Sequence, residues 1–446
     1  MTAIKRNITK ALTPSRVLVT GFLMLIVIGT FLLKLPIAVT KGVQLSFIDA
    51  LFTSTSALCV TGLTVVDTGT TFSIFGQVVI MTLVFVGGIG FMTVATLIYM
   101  VLGKRISFRE RLILQEAMNA NSMEGIVRII RRILIFVAVI QFTAGLLFAI
   151  HWMRELPLDE AIFYGFFHAI SLFNNAGFDL FGTSFQTYVN DGFFNLIAFF
   201  LVITGGLGFI VLAELYDYPR HRKLSLHSKV VLSMSGALIL IGAIMIFLFE
   251  FTNPNTLEPM SFGSKIYASF FQSISSRSSG TSTLNIEQLN EVTQFFMIIL
   301  MFIGGSPGSA GGGIKTTTFA ILLVSVWAML RGREDTVIFR TRLHKDQIHK
   351  ALTIIFLALL MVLTISMMLA VTEGQPFLKI LFDTTSAVAT VGLSMGLPPE
   401  MTVFGKLVFC VAMFIGRLGP LTLAYAMNNR RTQPLYRYPE GKLMIG

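Results

Sequence analysis

Four short segments carry residue types able to handle an ion. They run Phe52 to Gly62, Phe167 to Gly177, Phe270 to Gly280 and Phe382 to Gly392, each with a Phe ten residues before its glycine. Gly62, Gly177, Gly280 and Gly392 are 115, 103 and 112 residues apart, close to a quarter of the 446-residue chain. Glycine can turn its backbone carbonyls in directions that a side chain forbids. Four such loops meeting on one axis would form a ring of carbonyl oxygens that replaces a cation's hydration shell. The flanking residues vary (Val60 and Thr61, Asn175 and Ala176, Ser278 and Ser279, Thr390 and Val391), so the ring is expected to be only approximately fourfold.

A second chemical feature lies within a later apolar run. Gly304, Gly305, Ser306, Pro307, Gly308, Ser309, Ala310, Gly311, Gly312 and Gly313 follow one another, with Lys315 just beyond. Pro307 removes a helix hydrogen bond, and the glycines disfavour helix, so free backbone is expected here. Two soluble-protein motifs come close and fail. Gly308 to Thr316 is nearly a phosphate-binding loop, but Ile314 separates Gly313 from Lys315 and no strand precedes it. Gly304 to Gly308 has the nucleophile-elbow spacing of a serine hydrolase, which would make Ser306 the nucleophile of an intramembrane protease. That elbow uses the N–H after the serine, and Pro307 has none.

The elements that must position these residues are set by composition. With 54% hydrophobic and 13% charged residues, the chain has about half the ~25% charge of soluble domains. Runs near 20 apolar residues, enough to cross roughly 30 Å of hydrocarbon, lie at Val17 to Ile37, Phe75 to Leu102, Ile129 to Trp152 and Phe193 to Leu215. Four more lie at Val230 to Phe251, Phe295 to Leu330 (interrupted), Ala351 to Val371 and Val403 to Met427. The first is too long for the apolar core of a signal peptide and is read as a retained span. Trp152 and Trp327 fall at span ends, where interfacial aromatics belong. Cys59 and Cys410 are too few for a disulfide framework and are expected to pack as small apolar side chains.

Charge then gives sidedness. Net charge is +11 from 34 Lys and Arg against 23 Asp and Glu, which in a soluble protein would suggest nucleic acid or another anionic partner. Here 25 of the 34 basic residues fall in the N-terminus, the C-terminus and alternate connections. Basic segments resist translocation, so both termini are expected to be cytoplasmic, in a multi-pass protein of the cell membrane with lipid, not nucleic acid, as its surroundings. The opposite face is left acidic, suited to collecting cations.

The outer connections carry apolar stretches of about a dozen residues: Phe47 to Leu58, Ala161 to Phe173, Ser264 to Ser275 and Phe377 to Val388. Each makes roughly 18 Å of helix, half a crossing, and then reaches one of the glycine segments. Non-helical backbone at that depth must line a polar path or be buried in protein, and the partly negative C-termini of the half-helices favour a cation. The expected fold is an all-α integral membrane protein of four covalently linked span–pore-loop–span repeats around a pseudo-fourfold pore, with eight full spans plus four half-helices. The repeats are 1–103 (pore loop 47–64), 126–218 (159–179), 228–331 (262–282, second span broken at 304–318) and 348–428 (376–394), before a cytosolic tail at 429–446. Second spans carry related motifs beginning at Gly87, Gly205, Gly304 and Gly416, and ending at Gly90, Gly208, Pro307 and Gly419. Their glycines either line the path or allow close packing. Arg417 takes the place held by Gly88, Gly206 and Gly305. About 21 Å along its span, it is too deep for easy snorkelling and is expected to face a cavity, as a barrier below the ring or in a structural ion pair.

Over essentially its whole length the chain resembles the Ktr/Trk/HKT superfamily of potassium transporters. The marks are the four loop glycines, the Gly-rich break in the third repeat and the arginine in the fourth. Because the first repeat begins near Val17, it looks like the compact Ktr membrane subunit (KtrB-like). The resemblance implies that Gly62, Gly177, Gly280 and Gly392 form a potassium-selective filter, and that the segment from Gly304 to Gly313, with Lys315 and Arg417, gates the pore beneath it. It further implies a channel-like, non-enzymatic uptake system, activated by sodium, with potassium in the filter and no covalently bound cofactor. The family's membrane subunits form homodimers on a cytosolic nucleotide-binding ring (KtrA-like), through which ATP or ADP would act. A carrier for another cation or solute would instead need a midplane site of dedicated polar side chains, and apart from Arg417 and Lys315 the spans offer few.

Overall fold

A computed structural model of the chain describes residues 14–90, 93 and 126–419. The basic connection from Lys104, the ends of the second spans expected at Leu102 and Met427, and the tail at 429–446 lie outside the described residues.

Among the described residues, four long helices are apolar enough to cross a membrane alone: α1 (Pro14–Lys34), α5 (Ile126–Trp152), α9 (Leu226–Glu250) and α13 (Lys345–Thr372). Each packs on the half-helix that follows it: α2 (Phe47–Leu58), α6 (Leu158–Phe173), α10 (Phe262–Ser275) and α14 (Phe377–Ala389). These half-helices start where the sequence provides a stop and a cap. The Ser46 hydroxyl accepts from the Asp49 N–H at 3.0 Å, Ser261 does the same for Ser264 at 3.3 Å, and Pro157 and Pro376 precede the other two.

The chain returns through the short α3 (Thr68–Thr71) and α15 (Leu397–Glu400) or through single 3₁₀ turns, and enters the second spans. These are α4 (Ile74–Ile89), α7 (Gly192–Leu207), α11 (Glu291–Phe302) and α16 (Val403–Leu418). Ser73, Asp191 and Thr402 cap three of them through their side-chain oxygens. Each second span also packs on the half-helix of the next unit: α4 on α6, α7 on α10, α11 on α14, and α16 back on α2. The arrangement is therefore cyclic. At the closing seam the Lys406 ammonium at the head of α16 meets the Asp49 carboxylate at the head of α2, 2.8 Å apart.

The second spans differ from expectation. Continuous helices were expected to Leu102, Leu215 and Met427, but α4, α7 and α16 are each 16 residues, about 24 Å of helix, and stop on Gly90, Gly208 and Gly419. These glycines have φ of 89°, 97° and 82°, which a helix cannot continue. After Gly208 the chain bends by 105° into α8 (Phe209–His221). The break expected only in the third unit thus has a counterpart in the second, where α8 resumes, as α12 (Thr316–Leu330) resumes in the third.

Two smaller expectations also change. A hairpin of two-residue strands, β1 (Val337–Ile338) with β2 (Thr341–Arg342), joins α12 to α13. Trp152 is not interfacial: it is fully buried, stacked on Phe148 and edge-on to His168. Trp327 is 55% exposed, with the Arg331 guanidinium over its ring. Cys59 and Cys410 are both buried free thiols.

Candidate ion pathway

The half-helices bring the four loop glycines into mutual contact. All four have positive φ: 89° at Gly62, 73° at Gly177, 72° at Gly280 and 101° at Gly392. A methyl group on Gly177 would lie 3.1 Å from the Gly62 α-carbon and 3.3 Å from that of Gly280. One on Gly280 would lie 2.8 Å from the Gly392 α-carbon, and one on Gly392 would press on the Thr61 carbonyl. The contacts run 62, 177, 280, 392 and back to 61, which is a closed ring of backbone.

Local hydrogen bonds explain how each loop turns inward. In the first unit the Thr61 N–H donates to Ser56 O at 2.8 Å, and the Gly62 N–H donates to the Ser56 hydroxyl at 3.1 Å. In the fourth, Val391 and Gly392 treat Ser386 in the same way, at 2.9 Å each. In the second, the Ala176 N–H donates to Ser171 O at 2.8 Å, and the Ser171 hydroxyl donates to Phe178 O at 2.6 Å. Val60, Asn175 and Thr390, two residues before their glycines, share a left-handed φ of 57°, 56° and 48°. Ser278 lacks this turn, and its hydroxyl instead accepts from the Gly312 N–H at 3.2 Å. The third unit is thus the odd one, and it is the unit that supplies the inserted loop.

Serines 56, 171 and 386 were not singled out from the sequence. The signal was present, because each lies six residues before its glycine. A serine run on an apolar half-helix reads as ordinary polar lining until the hydrogen bonds are seen.

The loop from Gly304 to Gly313 lies against this ring, held mostly by backbone of the second unit. The Ser306 N–H donates to Gly206 O (3.0 Å), the Ala310 N–H to Gly205 O (3.1 Å), and the Phe209 N–H to Gly308 O (2.9 Å). Within the loop the Gly305 N–H donates to Gly312 O (2.9 Å) and the Lys315 ammonium to Gly311 O (2.7 Å). The Ser309 hydroxyl donates to Ser306 O at 2.7 Å. Pro307 has no N–H, and its carbonyl lies 2.6 Å from where a side chain on Gly208 would begin. The Gly208 break and the loop therefore fit each other. The Thr316 hydroxyl donates to the Ser306 hydroxyl oxygen at 3.0 Å, while His168 is engaged by Tyr164 and Leu180.

Arg417 reaches the loop from the other side. Its Nη1 donates to Ala310 O at 2.5 Å, and its Nη2 donates to Gly87 O in the first unit. The ion pair left open for Arg417 has no carboxylate partner among the described residues. Gly87, Gly205 and Gly416 prove to be packing glycines, since a methyl on each would strike the carbonyl of Leu58, Phe173 or Val388 at a half-helix end.

In the segment after Gly177 the Asp179 carboxylate accepts from the Phe181 N–H at 3.0 Å and the Gly182 N–H at 2.8 Å.

Half-helices entering a helical bundle from one side, with their loops joined in a ring of backbone, define a multi-pass membrane protein of the pore-loop cation transport class. A family model described as the cation transport protein TrkH matches residues 5–433. The chain belongs to that family. It is 44% identical over 434 residues to the Ktr system potassium uptake protein B of Bacillus subtilis, covering 97% of both chains. It is 38% identical to the potassium/sodium uptake protein NtpJ of Enterococcus hirae, covering all of both. Among solved structures, the potassium transporter TrkH from Vibrio parahaemolyticus shares the fold with a TM-score of 0.70 at 19% identity, over 92% of this chain and 84% of that one.

Proposed function

We propose that the chain carries potassium into the cell through a channel-like pore whose selectivity filter is the ring of Gly62, Gly177, Gly280 and Gly392. The observation that carries this reading is the closed backbone contact among four glycines of positive φ. A cation entering the ring exchanges water for carbonyl oxygen, and its fit depends on the spacing of those oxygens. The relatives named for potassium uptake support potassium as the cargo.

The segment from Gly304 to Gly313 is the gate, with Lys315 and Arg417 holding it beneath the filter. Its contacts are backbone hydrogen bonds to a neighbouring unit, each contributing about 1 kcal/mol, which can be exchanged for others as the loop moves. The subunit works in the cell membrane with both termini cytoplasmic, as a homodimer on a cytosolic nucleotide-binding ring. Sodium activation belongs to the same reading, as does control by ATP or ADP through the ring. The protease alternative loses ground because Ser306 is paired with Thr316 and no histidine is described beside it.

Uptake of rubidium or labelled potassium into potassium-uptake-deficient cells, with Gly62→Ser as a selectivity probe, tests the reading. Potassium-selective uptake that loses its discrimination against sodium in the variant is expected. No uptake despite correct insertion and the cognate ring would refute it.

A further inference from the structure

Two buried side chains clasp the backbone just beyond the ring. In α6, His168 donates from Nδ1 to Tyr164 O at 2.7 Å, which leaves Nε2 to accept from the Leu180 N–H at 3.1 Å. A carbonyl can only accept and an amide N–H can only donate, so the two partners fix the tautomer. In α14, Asp383 accepts from the Met395 N–H (2.8 Å), the Leu397 N–H (3.0 Å) and the Ser394 hydroxyl (2.8 Å). His168 stands nine residues before Gly177 and Leu180 three after it; Asp383 and Met395 bear the same relation to Gly392.

The other two units do not repeat the device. Phe271 holds the corresponding place in the third unit, where the neighbouring Gln272 side chain donates to the Ser282 hydroxyl at 2.5 Å. In the first unit Thr53 turns its hydroxyl back to Asp49 O of its own helix, at 2.8 Å. Gly177 and Gly392 are not neighbours in the ring; Gly62 and Gly280 lie between them. The two amide clasps are therefore diagonal. His168 is further fixed by rings, stacked on Phe181 at 4.9 Å and edge-on to Trp152 at 5.2 Å.

A carbonyl ring discriminates between ions only as far as its oxygens hold their spacing. The half-helix ends and their serines hold the backbone up to the glycines and, through Ser171 and Phe178 O, one residue past Gly177, while the third residue beyond Gly177 and Gly392 is held by these clasps. We propose that His168 and Asp383 are positioning residues that fix the post-filter backbone of two opposite units and thereby set discrimination between potassium and sodium. This inference rests on the reading of the glycine ring as a potassium filter.

The test compares His168→Phe, which keeps the aromatic packing and removes the acceptor, with Asp383→Asn and with Thr53→Val as a control. All are assayed as full chains in potassium-uptake-deficient cells, with membrane levels matched. Leaving a buried N–H without its acceptor corresponds to about tenfold in an equilibrium. His168→Phe and Asp383→Asn should therefore raise half-saturation for potassium and weaken discrimination against sodium by about that factor, while maximal rate is kept. Thr53→Val should match the parent. If one variant fails to reach the membrane, the other decides. Unchanged half-saturation and discrimination, or loss of maximal rate alone, would overturn the inference provided Gly62→Ser alters selectivity. If Gly62→Ser also leaves selectivity unchanged, the filter reading itself has failed.

Discussion

Arg417 donates to the Ala310 carbonyl at 2.5 Å, and so the last span holds the middle of a loop contributed by the unit before it. The same guanidinium reaches Gly87 O of the first unit, linking three units below the ring. A lysine has one compact head and cannot serve both carbonyls with a planar fork. Charged hydrogen bonds are worth about 1.5–3 kcal/mol, enough to move a two-state loop about tenfold or more. Arg417→Ala should raise basal rubidium uptake by several fold, and Arg417→Lys should fall between it and the parent. Equal initial uptake rates, affinity and selectivity in all three would remove Arg417 from the gate.

Shortening the loop tests the proposed gate without touching the arginine. Removal of Gly311 and Gly312 deletes the carbonyls that bind Lys315 and Gly305 and the N–H that binds Ser278. Flux should rise, and its dependence on nucleotide in the assembled system should weaken. Unchanged or reduced flux at normal membrane levels would count against a gate here.

The fold was legible wherever local pattern decides it. The half-helices expected at Phe47 to Leu58 and Phe377 to Val388 appear at Phe47–Leu58 and Phe377–Ala389, because apolar content, a cap or proline at one end and the turn before the glycine at the other are local signals. The glycine breaks were only half legible. Gly90, Gly208 and Gly419 stand out in the sequence as motif members, yet hydropathy carries no sign that a helix stops, and the stop depends on φ and on what the next residues meet. The burial of Trp152 comes from Phe148, one turn earlier on its own helix, and from Phe181, Tyr188 and Phe194 in the later loop and second span of the same unit, contacts that hydropathy does not carry. Arg417 was readable as an outlier in a four-way comparison, but its carbonyl partners were not.

Glu250 was also missed, since a carboxylate at a span end reads as interfacial. It is fully buried and accepts from the Asn290 N–H (2.9 Å), Asn253 Nδ2 (2.6 Å), Thr256 Oγ1 (2.7 Å) and Thr293 Oγ1. These bonds tie the end of α9 to the start of α11. Glu250→Ala strands four donors at about 1–3 kcal/mol each, only partly recovered by water, and should destabilise the protein by about 3 kcal/mol or more. Denaturation of the purified protein in mixed micelles measures this, and a shift below about 1 kcal/mol would show that the network carries little.

The most direct test of the account is sodium competition against rubidium uptake at matched membrane levels, comparing the parent with Gly62→Ser and Gly280→Ala. The ring has no room for these side chains, with a Gly280 methyl 2.8 Å from the Gly392 α-carbon, and positive φ adds strain of order 1–3 kcal/mol. The account predicts that rubidium outcompetes sodium in the parent and that discrimination falls by about tenfold or more in each variant. Two glycine variants that insert normally and discriminate as the parent does would contradict it.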